Sequence, residues 1–164
     1  MWVVNGIFEN IGMVQDGLST IAQPVKVRDK ANAAALKVNQ GEIHFDAIRF
    51  NYGGERRVID DLQLTIRPGE KIGLIGPSGA GKSTLVNLLL RLYDLNGGRI
   101  VIDGQNIADV SQESLRAQIG MITQDTSLLH RSIRDNLLYG RPNATQQELM
   151  QAIHQAKADE FIPL

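Results

Sequence analysis

Gly76-Pro77-Ser78-Gly79-Ala80-Gly81-Lys82-Ser83-Thr84 is the stretch on which the reading of the whole chain turns. Its spacing is that of a phosphate-binding loop, G-x-x-x-x-G-K-[ST]. Before it, Glu70-Lys71-Ile72-Gly73-Leu74-Ile75 is a short apolar run that reads as a buried strand. After it, Leu85-Val86-Asn87-Leu88-Leu89-Leu90-Arg91-Leu92 is long enough for a helix. Strand, glycine loop and helix in that order are the context in which the pattern becomes a site.

The residue types follow from the chemistry of a polyphosphate. Several negative charges lie close together, and backbone N–H groups can cradle them only where the chain turns tightly and comes very near. Gly76, Gly79 and Gly81 allow that approach, having no Cβ. The helix that follows adds unpaired N–H groups and the positive end of its dipole. Lys82 brings a full positive charge to the β- and γ-phosphates, Ser83 a hydroxyl for Mg²⁺, and Thr84 a hydroxyl for a phosphate oxygen. Pro77, Ser78 and Ala80 complete the loop.

The 164 residues suffice for one domain with a real core and a short appendage. Hydrophobic residues make up 43% and charged residues 21%, a globular rather than a disordered composition. A net charge of -1 argues against broad electrostatic binding of nucleic acid. There is no cysteine, hence no disulfide and no thiolate chemistry. His44, His130 and His154 are scattered, so a histidine-built metal site is not expected.

Taken in order, residues 1–22 carry Val3, Val4, Ile7, Phe8, Ile11, Val14, Leu18 and Ile21 at helical spacing, with Asn5, Glu9, Asn10 and Asp16 opposite. This is an amphipathic helix, read either as packing on the domain or as the end of a longer helix. Pro24 stops it, and residues 25–40 read as a linker over the surface. Alternation at Ile43, Phe45, Ala47 and then at Ile48, Phe50, Tyr52 predicts a strand with a bulge near Ala47. Leu62, Leu64 and Ile66 predict a second strand, and Pro68-Gly69 a turn. The helix after the loop is expected to end near Asp94. Ile100-Val101-Ile102 reads as a strand and Asp103-Gly104 as a hairpin turn. Residues 111–118 predict a short helix and Ile119–Thr123 another buried strand. Ser132 is a candidate N-cap for residues 133–139, and Thr145 with Glu148 a capping box for a last helix.

Three further residues invite a chemical reading. Asp103 ends an apolar run, as a Mg²⁺-holding acid does, but Gly104 rather than a second acid follows, which favours the hairpin. Gln124 ends an apolar strand before a polar loop, the position from which a side chain reaches Mg²⁺ or orients a water. Tyr52, just ahead of Gly53-Gly54, is either a core aromatic or a platform for a base.

The order Phe50-x-Tyr52, Leu62-x-Leu64-x-Ile66-x-x-Gly69-Glu70, Gly76–Thr84, Gly98-x-Ile100-x-Ile102-Asp103-Gly104, Gln124-Asp125 and Ser132-Ile133-Arg134-Asp135-Asn136 resembles the nucleotide-binding domain of an ATP-binding cassette transporter. The resemblance is to the exporter branch that fuses membrane and nucleotide domains in one chain, and it covers about residues 41–162. It implies an α/β fold of the P-loop NTPase type, an antiparallel β subdomain joined to a RecA-like core. It further implies ATP and Mg²⁺ as ligands, with Tyr52 against adenine, Gly76–Thr84 around the phosphates, and Gln124 on Mg²⁺ and the attacking water. Residues 1–23 are then similar to the cytoplasmic end of the last membrane helix, 24–40 to its linker, and 41–164 to the N-terminal portion of the nucleotide domain.

The same resemblance implies a second nucleotide-binding domain as partner, in a homo- or heterodimer, coupling helices of a membrane domain beyond Gln124, a place on the cytoplasmic face of the inner membrane, and no nucleic acid. Export of a lipid or drug-like substrate is the activity expected of the parent. The family's Leu-Ser-Gly-Gly-Gln stretch, its strand ending in Asp-Glu and its switch histidine do not occur in these residues. The second expectation is therefore a nucleotide-binding segment that hydrolyses nothing by itself. An unrelated phosphate-loop kinase or GTPase is the third; no guanine-reading Asn-Lys-x-Asp is present.

Overall fold

The computed structural model describes residues 13–14, 27–54, 57–124 and 127–162. The amphipathic helix expected over 1–22 lies outside the described residues except at Met13 and Val14, which are helical and exposed. Among the described residues no helix is long and apolar enough to cross a membrane. The chain divides into two compact units, Met1–Gly120 and Met121–Leu164.

The first unit is built on an antiparallel sheet of four strands: β1 (Ile43–Phe50), β2 (Ile59–Ile66), β3 (Gly97–Ile102) and β4 (Gln105–Asn106), in the order β2-β1-β3-β4. Alternation sends Phe45, Ile48 and Phe50 inward from β1, and Ile100 and Ile102 inward from β3. The bulge expected near Ala47 is present. The register steps from Phe45↔Leu64 to Ile48↔Leu62, one residue more on β1, and Ala47 takes φ 47°. A second shift between Ile48 and Phe50, with Asp61 at φ 56°, restores the frame on β2. Across the bulge Gly98 has φ +75°, and a Cβ there would lie 2.3 Å from the Ala47 carbonyl oxygen. Only glycine lets the two backbones come that close.

Helix α1 (Lys82–Leu89) lays Leu85 and Leu88 on the sheet's inner face. Ile107, Val110, Leu115 and Leu36 close the core, with Ile48, Leu88, Ile100 and Leu115 fully buried. Helix α2 (Gln112–Ala117) starts at Ser111, whose side chain caps the Ser114 N–H. The segment read as a surface linker is strapped down. Ala34 bridges Val110, the Leu36 N–H donates to the Ser114 hydroxyl, and Asp103 accepts from four consecutive backbone N–H groups, 39 to 42, at 2.7–3.0 Å. Those donors hold the Asp103 carboxyl far below the usual carboxylate range, the Gly41 N–H most of all. Asp103 thus serves the hairpin and the strap.

Three expectations are corrected. Residues 70–75 and 119–123, expected as buried strands, join no ladder among the described residues, and Ile75 and Ile122 are 99% and 96% exposed. Both runs are apolar on successive residues, the pattern of strands flanked on both sides in a parallel sheet. Here no described strand pairs with them. The loop helix ends at Leu89 rather than near Asp94, because Arg91 adopts φ 49° and the chain closes on itself: Arg91 N–H to Leu88 O, Leu92 N–H to Asn87 O. This is the left-handed stop normally made by glycine.

The second unit holds α3 (Ile133–Leu138), capped by Ser132, and α4 (Gln146–Gln155), opened by the expected Thr145–Glu148 capping box. Leu149 and Ile153 are its buried residues on α4, and Ala156 is the exposed C-cap.

Candidate functional site

The loop Gly76–Thr84 runs from the turn at Pro68-Gly69, through the exposed segment 70–75, into α1. Gly81 is the residue before the helix, at φ 86°, with no side chain to cap it. Leu85 makes the first bond back to Gly81, so the N–H groups of Lys82, Ser83 and Thr84 have no partner within the helix. A Cβ on Gly81 would sit 3.3 Å from the Val58 carbonyl oxygen, which leaves glycine as the fit at this crossing. The chain thus presents a first helical turn of free donors behind a bend that would strain any larger residue, a cradle suited to an oxyanion.

Lys82 folds over that cradle. Its Nζ donates to the carbonyls of Gly76 at 2.7 Å and Pro77 at 2.8 Å. Two of the three ammonium protons tie the loop together, and the third remains for an anion. Ser83 is exposed on the first turn, while Thr84 is 7% exposed. Among the described residues no group of three or more His, Asp or Glu side chains could hold a metal. A Mg²⁺ here would find a hydroxyl on the first turn of α1, where Ser83 is exposed.

Tyr52 reaches the same turn. Its hydroxyl lies 3.0 Å from Thr84 Oγ1. The ring is 55% exposed, so it is not a core aromatic, yet it is held on two sides. Phe50 meets it edge-on at 4.8 Å and 84°, and Tyr93 at 5.1 Å and 89°. The backbone is fixed as well: the Gly53 N–H donates to Asn51 Oδ1, and the Asn51 N–H to Asn96 Oδ1. Gln124 is exposed in the second unit, beside the loop that Asn136 ties together through Leu129, Arg131 and Ser132. That unit presents an apolar groove of about 540 Å³ lined by Leu128, Leu129, Ile133, Leu137, Tyr139 and Ile162.

Sequence reading missed Arg91. Its guanidinium, 5% exposed, donates to the carbonyls of Arg28, Ile107 and Val110 and pairs with Asp29 and Asp94. It joins the strap, the end of α1 and the loop before α2. The signal was a lone charge inside Leu88-Leu89-Leu90-Arg91-Leu92. Tyr93 was missed too, having no motif of its own.

A glycine bend, a lysine folded across it and a helix of unpaired N–H groups define a phosphate-loop nucleotide-binding domain. The model of the ABC transporter domain matches residues 59–163, and this chain belongs to that family. It is 57% identical over 163 residues to an uncharacterized ABC transporter ATP-binding protein of Haemophilus influenzae, covering 99% of this chain and 26% of that one. It is 38% identical to the mitochondrial iron-sulfur clusters transporter ATM1 of Candida albicans, over 85% of this chain and 21% of the relative. The fatty acid ABC transporter ATP-binding/permease protein of Mycobacterium bovis is 48% identical over 74% of this chain and 19% of its own length. A solved bacterial Atm1-family ABC exporter with ATP bound superposes with TM-score 0.85 at 39% identity, over 94% of this chain and 27% of that one. The chain therefore spans about a quarter of the length of the relatives it matches, and it corresponds to their nucleotide-binding part.

Proposed function

We propose that this chain is the MgATP-binding part of an ABC exporter that couples ATP binding and hydrolysis to transport across a membrane. The observation that carries the reading is the Lys82 ammonium held over a loop whose next three N–H groups point out of the helix unpaired. In this reading Gly76–Thr84 wraps the phosphates, Lys82 neutralises the β- and γ-phosphates, and Thr84 donates to a phosphate oxygen. Ser83 and Gln124 would hold Mg²⁺, which would supply charge neutralisation at the phosphates, and Tyr52 offers its open ring to adenine.

In this reading hydrolysis also needs a general base for the attacking water and a second domain that closes over the nucleotide. The apolar groove on the second unit suits the coupling helices of a membrane domain, on the cytoplasmic face of the membrane. Relatives named for iron-sulfur clusters and for fatty acid share this domain at 38% and 48% identity, so one nucleotide-binding part serves unlike cargo. The relative named for fatty acid accords with the expected lipid substrate and the one named for iron-sulfur clusters does not, so the cargo is not fixed by this domain and its choice belongs to the membrane helices.

The test is ATP turnover by the full-length protein in vesicles. Lys82→Met should abolish phosphate release while leaving membrane insertion intact. Turnover at the unaltered rate would overturn the assignment.

A further inference from the structure

We propose that the Tyr52 hydroxyl positions Thr84 for phosphate, so that a residue on the base side of the site sets affinity on the phosphate side. The inference rests on the nucleotide reading above and goes past stacking, which needs a ring and no hydroxyl. Two facts point to it. The hydroxyl lies 3.0 Å from Thr84 Oγ1, in the first turn of α1, where Thr84 is nearly buried. And the ring is steered on two sides by Phe50 and Tyr93, so the hydroxyl is aimed and does not wander in solvent.

Each hydroxyl carries one proton, and between themselves either can donate. A phosphate oxygen at the loop only accepts. Thr84 must then turn its proton outward, and Tyr52 must supply the proton that satisfies Thr84 Oγ1. The chain becomes directional, Tyr52 to Thr84 to phosphate, and each bond polarises the next. Without the Tyr52 proton, the Thr84 hydroxyl is free to turn back to the carbonyl one helical turn earlier, a common habit of threonine in helices. Its proton is then lost to the ligand. Tyr52 is on this account a positioning residue, acting through Thr84.

The probe is magnesium tripolyphosphate, which has no base to stack, titrated calorimetrically into the full chain beside MgATP. Tyr52→Phe keeps the ring and should weaken tripolyphosphate about five- to tenfold, the scale of one hydrogen bond between neutral groups. Thr84→Val should weaken it similarly, and adding Tyr52→Phe to it should change affinity by less than twofold. Thr84→Ser should restore both the affinity and its dependence on Tyr52. A Tyr52→Phe chain that binds tripolyphosphate as the unaltered chain does overturns the proposal, as does a full second loss in the Thr84→Val background. An unaltered chain that binds neither ligand overturns the nucleotide reading itself and this proposal with it. Binding of both by the unaltered chain, with no effect of Tyr52→Phe, removes the positioning role alone.

Discussion

Replacing Arg91 should produce an inverted order of stability, with glycine above alanine. The guanidinium donates to three carbonyls, those of Arg28 at 2.9 Å, Val110 at 3.1 Å and Ile107 at 3.4 Å. Truncation leaves them without this donor, at roughly 1 kcal/mol each, so Arg91→Ala should lose about 3 kcal/mol. The same residue holds φ 49°, where any side chain costs about 1 kcal/mol relative to glycine. Arg91→Gly loses the same three bonds but relieves that strain, for a net of about 2 kcal/mol. In most helical contexts glycine is the worse residue by a similar margin, so the inversion is specific to this left-handed stop. Arg91→Lys keeps the charge but not the planar fork, and should fall near alanine. Urea unfolding followed by circular dichroism gives the three midpoints. With the usual slope of 1–3 kcal/mol per molar, Arg91→Ala should shift by about 1.5 M. An alanine variant as stable as the parent, or a glycine variant below alanine, would refute the role assigned to the arginine.

Gly98→Ala should be among the most damaging single changes, since its Cβ would sit 2.3 Å from the Ala47 carbonyl oxygen, and backbone cannot yield as a side chain can. A loss of at least about 3 kcal/mol in the same unfolding assay is expected. Asp103→Asn should release residues 39–42, because an amide presents one acceptor oxygen and two donors to four N–H groups; faster hydrogen exchange at those amides is the readout. Because the Asp103 carboxyl is held below its ordinary value of 3.8 in the folded chain, its contribution is complete above about pH 4 and declines as the pH falls below that. Exchange at residues 39–42 should therefore quicken below pH 4 in the parent and be independent of pH there, after correction for intrinsic exchange, in the asparagine variant. The 164-residue chain by itself should show no steady ATP turnover, and phosphate release that disappears in Lys82→Ala would contradict this.

What the sequence made legible was what local chemistry decides. The bulge at Ala47 followed from a break in alternation, and the Ser132 and Thr145 caps from side chains that bond their own helix starts. The phosphate loop was legible because its glycines and Lys82 act within nine residues. What escaped depended on partners far along the chain. The strap over residues 27–42 is held by Asp103, Ser114 and Arg91, some sixty to eighty positions away, and nothing in its mixed composition announces them. The runs at 70–75 and 119–123 have strand composition, but a parallel strand needs neighbours that local pattern cannot supply. Arg91 escaped because left-handed stops are expected at glycine, and Tyr52 could be brought to Thr84 only by the turn that Asn51 and Asn96 fix.

The account stands or falls on whether the backbone of Gly76–Thr84 grips a polyphosphate. The direct measurement is amide chemical shift across that loop in the full chain, titrated with MgATP. Large, saturable shifts of the Gly79, Gly81, Lys82 and Ser83 amides, lost in Lys82→Ala, are the predicted result. Loop amides that stay in place while nucleotide binds elsewhere, or does not bind, would contradict it.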